Sequence, residues 1–323
     1  MIRDNKKVSF VIPVFNEAAN IGELVRELYA AMHGVRYALE FIFVDDGSRD
    51  NSLNILKELA QSDPRIFYVE LSRNFGHQHA LKAGLDICSG DCVVTMDSDL
   101  QHPPQVVKEL IRKWEEGYDV VYTRRRDDKN LPWIKRKTSA LFYTLLNTIS
   151  DIELEQGTAD FRLMNRNVLD AFAHLNESDL FIRGLVKWAG FRQTAIDYEP
   201  HARHAGKSKY NLKRMISFGL KGITSFSVRP LQMIASLGML LFFISMILAP
   251  YAVISYLMGK AVSGWTSLMI SVIFFGSLQL LMTGVVGLYI SKLVIQSKHR
   301  PLYFIRDTNY VGSREMLPHA VQR

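Results

Sequence analysis

Residues 8–17 read VSFVIPVFNE, and this stretch decides the fold. Val8–Val14 is a run of β-branched and aromatic residues long enough for a buried strand. It breaks at once into the polar group Phe15-Asn16-Glu17. Working outward, the same unit recurs. Ala19–Met32 places Ile21, Leu24, Val25 and Leu28 on one helical face, Phe41–Val44 is a second strand and Ser52–Leu59 a second helix. Ile66–Leu71, Gln78–Ile87 and Cys92–Met96 continue the alternation, and Asp119–Thr123 adds a further strand. Strands alternating with amphipathic helices predict an α/β fold with a mostly parallel sheet covered by helices. Ligands of such sheets bind beyond the carboxyl ends of the strands.

Three polar clusters fall at those ends. They are Pro13–Glu17 after the first strand, Asp45-Asp46-Gly47-Ser48 after the second, and Asp97-Ser98-Asp99-Leu100-Gln101 after the fourth. No GxGxxG follows the first strand and no Walker lysine motif occurs, which disfavours a dinucleotide redox fold and a P-loop NTPase. Asp97 and Asp99, two residues apart, can turn toward one ligand if the backbone bends there, and Gln101 could add a carbonyl oxygen. Hard oxygen donors at this density suit Mg2+ or Mn2+, which keep several waters and bridge to substrate phosphates. A capped turn before a helix near Pro103 would use the same residue types. The other acidic clusters at the same sheet edge favour the ligand-binding reading.

Farther along, the composition changes. Of 323 residues, 39 are Lys or Arg and 32 are Asp or Glu, for a net charge of +7. Residues 1–199 carry 25 cations against 30 carboxylates, whereas residues 200–306 carry 12 cations and no Asp or Glu. The pI of about 9.3 therefore reports one basic, carboxylate-free block on a mildly acidic globular half, not a nucleic-acid surface. Hydrophobic content of 48% excludes a disordered chain. Two cysteines, Cys88 and Cys92, exclude a disulfide framework and read as buried thiols in a reducing compartment.

Leu231–Gly259 and Ala261–Ser291 are both free of charge. Each exceeds the ~20 apolar residues that cross a hydrocarbon core. Two transmembrane helices are expected, with Pro250 kinking or ending the first. Seven cations from Arg203 to Arg229 precede the pair, four from Lys292 to Arg306 follow it, and the connecting loop holds only Lys260. By the positive-inside rule both flanks are expected in the cytoplasm. MIRDNKKVSF does not resemble a signal peptide. The expected organisation is a cytoplasmic domain at 1–205, amphipathic interfacial helices at 206–229, a transmembrane hairpin at 230–295 and a cytoplasmic tail at 296–323. Gly276, Gly284 and Gly287 leave small-residue faces on the second span, which points to a homo-oligomer.

The segments VIPVFNE (11–17), VDDGS (44–48), MDSDLQHPP (96–104), TADFRLMNR (158–166) and RHAGKSKY (203–210) together resemble the polyprenyl-phosphate glycosyltransferases of glycosyltransferase family 2. That group includes bactoprenol glucosyltransferases, dolichyl-phosphate mannose synthases and undecaprenyl-phosphate aminoarabinose transferases. The resemblance covers nearly the whole chain, the two C-terminal spans included. It implies a GT-A fold, a nucleotide-sugar donor, a divalent metal and a polyisoprenyl phosphate held in the membrane of a bacterial cell as acceptor, with inversion at the sugar. Carried over by motif, Pro13, Phe15 and Glu17 would line the nucleoside, and Asp46 would hold the base with Val44 beside it. Asp97 and Ser98 would contact the nucleotide, and Asp97, Asp99 and Gln101 would hold the metal. Arg124 would face the phosphates, with Arg203 and Lys209 on a loop closing over them. Lys135, Arg136 and Ser139 are candidates for gripping the acceptor headgroup.

The same resemblance makes Asp160 the catalytic carboxylate, accepting a residual acceptor proton or orienting the acceptor phosphate. A structural ion pair with Arg162 or Arg166 is the alternative. His77 and His79 have no carboxylate beside them in sequence and read as a helix start near the donor pocket. His102 reads as a loop residue and Asp127-Asp128-Lys129 as a solvated loop. TADFRLMNR leans toward a glucosyl donor, UDP-glucose, over GDP-mannose or an aminoarabinose nucleotide. A processive enzyme is disfavoured because no Gln-x-x-Arg-Trp motif occurs, and a degenerate scaffold because Asp97, Asp99, Gln101 and Asp160 are intact.

Overall fold

The computed structural model describes residues 6–125, 157–175, 177, 180–199, 227–259 and 264–310. The expectations for Lys135, Arg136, Ser139, Arg203, Lys209, the 127–129 loop and nearly all of the 206–229 segment lie outside these residues.

The elements in chain order begin β1 (Lys7–Val14), α1 (Ala18–Met32), β2 (Ala38–Asp45), α2 (Ser52–Ser62), β3 (Ile66–Leu71), α3 (His77–Ile87) and β4 (Cys92–Thr95). After a short 3-10 turn come α4 (Val107–Glu115), β5 (Val120–Arg125), β6 (Thr158–Asn165), α5 (Arg166–Ala173), α6 (Ile182–Trp188) and β7 (Gln193–Tyr198). The last are α7 (Arg229–Leu257), α8 (Trp265–Ser297) and β8 (Ile305–Thr308).

One eight-stranded sheet runs β7-β5-β6-β4-β1-β2-β3-β8. The centre is parallel: β1 pairs in register with β2 and β4, and β2 with β3. β6 runs antiparallel between β4 and β5, and β7 lies parallel to β5. Every residue of β1 after Lys7 is buried, as a strand covered on both faces must be. One face of β1 and β2 buries Phe10, Ile12, Phe41 and Phe43 against Ile21, Leu24 and Leu28 of α1 and Leu110 of α4. α3 packs against β1 and β2. Gly84 permits that close approach, since a Cβ there would lie 3.1 Å from Val44 Cγ2 and nearer still to Val11.

The chain moves from β1 outward to β2 and β3, then returns to the other side of β1 as β4. The order therefore reverses between β1 and β4, where a ligand crevice is expected in such a sheet.

Two compact units are present, one holding the sheet and its helices and the other α7 and α8. After α8, residues 300–310 belong to the first unit, where β8 covers the edge of β3 in antiparallel pairing. An uncovered β3 would present unpaired N–H and C=O groups to any other strand. β8 escaped the sequence reading because four residues, two of them charged, carry too weak a strand pattern.

In the second unit α7 and α8 are long and apolar enough to cross a membrane by length and composition, with mean hydropathies of 2.3 and 2.0 over their candidate spans. Their large side chains are exposed all round, as at Ile247, Leu257 and Leu280. α7 continues through Pro250 for two further turns, so the proline does not end it.

Candidate active site

A cavity of about 350 Å3 opens at the carboxyl ends of β1, β2 and β4. Its floor and walls come from the three clusters expected there: Pro13, Phe15 and Glu17 after β1, Asp46 after β2, and Asp97, Ser98 and Asp99 after β4. A fourth segment, the Asn74-Phe75-Gly76 loop between β3 and α3 together with His77 at the start of α3, contributes Asn74, Gly76 and His77.

These loops are tied to one another. Main-chain N–H groups of Asn16, Glu17 and Ala18 donate to Ser48 Oγ, Ser52 Oγ and Asp50 Oδ2 at 2.9, 2.9 and 3.1 Å, and Asn16 Oδ1 accepts from Arg49 N–H at 2.8 Å. Asn16 takes φ 57°, a left-handed conformation that Asn tolerates. Phe15, 45% exposed, is thus left as an open apolar face at the cavity, of the kind a flat ring could stack on. Asp46 accepts from the N–H groups of Phe75 (2.7 Å) and Gly76 (2.9 Å), pinning the fourth loop against the second. Burial pushes its carboxyl up, against those two hydrogen bonds.

Around Asp97 the bend comes at Leu100, a buried non-glycine residue at φ 62°. Such left-handed strain is found preferentially at functional sites. His102 is buried, stacked on Phe161 with ring centroids 5.0 Å apart, and its Nδ1 accepts the Asp97 N–H at 3.0 Å. It is therefore an internal strut of the acidic loop as well as a loop residue. Asp97 Oδ1 is buried and, among the described residues, accepts no hydrogen bond; His77 Nε2 stands 3.4 Å from it.

His77 Nε2 also stands 3.6 Å from Asp160 Oδ2. Desolvation by the surrounding atoms opposes charge on its imidazole, but the adjacent Asp160 and Asp97 carboxylates prevail and push its pKa up to about 9. Asp160, on β6, is buried behind His77. Arg183 forks onto it, Nε to Oδ1 at 2.8 Å and Nη2 to Oδ2 at 2.7 Å. Arg162 Nη2 donates to Oδ1 at 3.3 Å and Gln78 Nε2 to Oδ2 at 3.3 Å. Burial alone would raise this carboxyl; the Arg183, His77 and Arg162 groups reverse that and hold it well below the usual carboxylate range.

The family model described as Glycosyl transferase family 2 matches residues 9–172. The uncharacterized glycosyltransferase YkcC of Bacillus subtilis (strain 168) is 40% identical over 311 residues, 95% of this chain and 96% of that protein. The chain belongs to glycosyltransferase family 2. This glycosyltransferase is also 40% identical over 302 residues to a bactoprenol glucosyl transferase of Shigella phage SfV, covering 93% of its own length and 98% of the relative's. Among solved structures, a mannosyltransferase of Pyrobaculum calidifontis in complex with GDP-Man and Mn2+ aligns at TM-score 0.48 and 18% identity, over 68% of this chain and 64% of that one.

Three residues expected at the glycosyltransferase's donor site do not line its cavity. Val44 is fully buried beneath α3, because its position in β2 points it to the helix-covered face. Arg124 leaves the sheet toward β7, where its Nε meets Asp197 Oδ1 at 2.9 Å. Gln101 lies past the Leu100 bend, and its main-chain N–H donates to Asp99 Oδ1 at 3.2 Å. In the other direction, the sequence reading set His77 aside for want of an adjacent carboxylate, and the fold brings it two, Asp97 from the loop after β4 and Asp160 from β6. Gln78 and Arg183 were not singled out either. The loop after β3 obeys the same strand-end rule as the other three clusters and could have been found by it; Arg183, on a short helix, carried no such signal.

Proposed function

We propose that the protein transfers a single sugar, with inversion, from a nucleotide-sugar donor to a polyisoprenyl phosphate at the cytoplasmic membrane face. UDP-glucose and undecaprenyl phosphate are the leading pair. The observation that carries this reading is the strand-end cavity with Asp97 and Asp99 on its rim. Relatives named bactoprenol glucosyl transferase, from Shigella phage SfV and Shigella flexneri, span 93% and 94% of the chain at 40% and 39% identity and support a lipid acceptor.

In the reaction an acceptor phosphate oxygen attacks the anomeric carbon. The carbon–oxygen bond to the diphosphate breaks, and its electron pair leaves with the nucleoside diphosphate. Phe15 and Pro13 offer the apolar wall for the base. Asp97 and Asp99 suit a divalent ion: Asp97 Oδ1 is buried with no hydrogen-bond donor among the described residues, and both carboxylates offer hard oxygens. Among the described residues no cage of three His, Cys, Asp or Glu side chains occurs, so diphosphate oxygens and water would complete the shell. Such an ion, when bound, would stabilise the charge that develops on the leaving diphosphate.

Two consecutive helices of bilayer length, with β8 after them paired to β3, support a hairpin whose flanks share one side. The cation-rich, carboxylate-free flanks favour the cytoplasm.

The test offers membranes carrying the protein a panel of labelled nucleotide sugars with undecaprenyl phosphate and a divalent ion. Label from UDP-glucose is expected in the lipid extract, and label from GDP-mannose instead would reassign the donor. No extractable label from any donor would overturn the reading.

A further inference from the structure

We propose that Asp160 serves as the fixed anchor of Arg183, and that Arg183 is the cation that receives the acceptor's phosphate monoester. This rests on the lipid-phosphate reading above and assigns the acceptor end of its site.

The first argument is hydrogen-bond capacity. An ionised carboxylate offers about four lone-pair sites. Those of Asp160 meet four donors between 2.7 and 3.3 Å: two from Arg183, one from Arg162 and one from Gln78. His77 stands just beyond them at 3.6 Å. A carboxylate so enclosed has no lone pair directed at an incoming substrate. The chemistry asks for none, because a phosphate monoester is already anionic near neutrality and attacks without first losing a proton to a base.

The second argument is exposure. The Asp160 side chain is 5% exposed and that of Arg183 31%, so solvent reaches the arginine of this pair and not its carboxylate. A polar group arriving from solvent meets Arg183 first. Guanidinium matches phosphate oxygens in a planar fork, and a carboxylate behind it fixes the direction of the fork in advance.

The third argument is placement. His77 lines the cavity and touches both Asp97 and Asp160. The anchor is therefore one side chain away from the end of the cavity where the leaving diphosphate would lie. The Gln78 amide locks the arrangement, donating to Asp160 and accepting the N–H of Ile182 at 3.1 Å, next to Arg183 itself. An anionic nucleophile must approach an anionic leaving group, and a cation held at this spot offsets their repulsion.

The test uses the full-length protein in nanodiscs, comparing wild type with Arg183→Ala, Arg183→Lys and Asp160→Asn. Binding of farnesyl phosphate is read separately from binding of UDP, with inorganic phosphate as the free-anion control; transfer kinetics follow on undecaprenyl phosphate. Arg183→Ala is expected to weaken farnesyl phosphate binding and raise the acceptor KM by about tenfold or more, the scale of a lost charged hydrogen-bond pair. UDP binding should hold within about twofold. Added guanidinium should restore part of the loss, and Arg183→Lys, which keeps the charge without the fork, should fall between. Asp160→Asn should share the acceptor defect, and the double variant should be no worse than either. Unchanged farnesyl phosphate binding in both Arg183 variants would overturn the proposal. So would an Asp160→Asn variant that loses kcat alone, with acceptor KM unaltered. Binding of inorganic phosphate as strongly as farnesyl phosphate would replace the lipid headgroup with a free anion. Because farnesyl phosphate binding is read without turnover, wild-type protein that binds it but transfers no sugar would sink the transferase reading and leave this one standing.

Discussion

The phenol of Tyr310 donates to Oε1 of Glu40 at 2.9 Å, joining the end of the described chain to the second strand across 270 residues. Glu40 is buried and also accepts from Ser9 Oγ at 2.5 Å and Ser89 Oγ at 2.9 Å. Burial would raise its carboxyl, but these donors lower it on balance, so it stays ionised at neutral pH. Around it the residues that follow α8 are fastened at several points. Tyr303 donates to Asp86 at 2.8 Å, Arg306 meets Glu70 at 3.1 Å, and the Phe304 ring lies 6.3 Å from that of Phe75 in the cavity loop.

Removing the Tyr310 hydroxyl should therefore cost more than an exposed tail residue would. A hydrogen bond to a buried charged acceptor contributes about 1.5–3 kcal/mol. Tyr310→Phe is expected to lower stability by about that amount in denaturant melts of the full-length protein. Phe304→Ala should in addition weaken UDP binding, through the Phe75 loop. A tail without structural weight would leave both measurements at wild-type values.

Gly47 meets two demands that only glycine satisfies. Its φ is +71°, and a Cβ there would sit 2.8 Å from Arg73 C and Asn74 N, both main-chain atoms. Gly47→Ala must push the 73–77 loop away from Asp46 or distort its own turn. A loss of about 1–3 kcal/mol and weaker UDP binding are expected. Calorimetric titration with UDP, beside a thermal melt, checks both; wild-type affinity in a folded variant would show that the loop contact is dispensable.

Much of this was legible from residue order, because the hydrophobic runs that make β1 to β4 are the ones whose ends build the site. Pro13, Phe15, Asp46, Asp97 and Asp99 could be placed at one edge of one sheet before any coordinate was known. What stayed hidden depends on which way a side chain turns and on what distant segments bring. Val44 is two residues before Asp46 yet lies within β2, packed under Gly84 of α3, whereas Asp46 comes after the strand has ended, where the chain turns into the cavity. Arg183 and Asp160 are 23 residues apart and meet only because the fold brings the start of α6 to the Asp160 position of β6. His77 gains its two carboxylates from segments that are distant in sequence. Nothing local announces such meetings.

The Asp97–Asp99 pair should make nucleotide binding depend on a divalent ion. Two carboxylates, with no third His, Cys, Asp or Glu beside them among the described residues, hold a cation weakly alone and more firmly once diphosphate oxygens join. UDP should bind the wild type at least about tenfold more tightly with Mn2+ than with EDTA, and Asp99→Asn should erase most of that difference. Equal affinity in both buffers would remove the metal from the reaction.

Cys88 and Cys92 are buried and unpaired. Burial pushes the Cys88 thiol up to about 12, and that of Cys92 is raised for the same reason. Since the thiolate is the reactive form, neither should take up a maleimide at pH 7 in the folded protein, and both should in urea. Rapid labelling without denaturant would place one of them at the surface.

His77 gives a pH dependence whose sign can be worked out. Its folded pKa of about 9 lies above the ordinary 6.5, so the charged imidazole between Asp97 and Asp160 is a net gain on folding. That gain is complete below about pH 6.5, where the unfolded chain is protonated too. It fades as pH rises and is gone once the folded imidazole has titrated, near pH 9. In EDTA, to keep divalent ions from Asp97, His77→Gln should therefore be less stable than wild type at pH 6, and the two should converge by pH 9.5. A gap of constant size across that range would mean the histidine acts by shape, and that its charge between the two carboxylates contributes nothing to the fold.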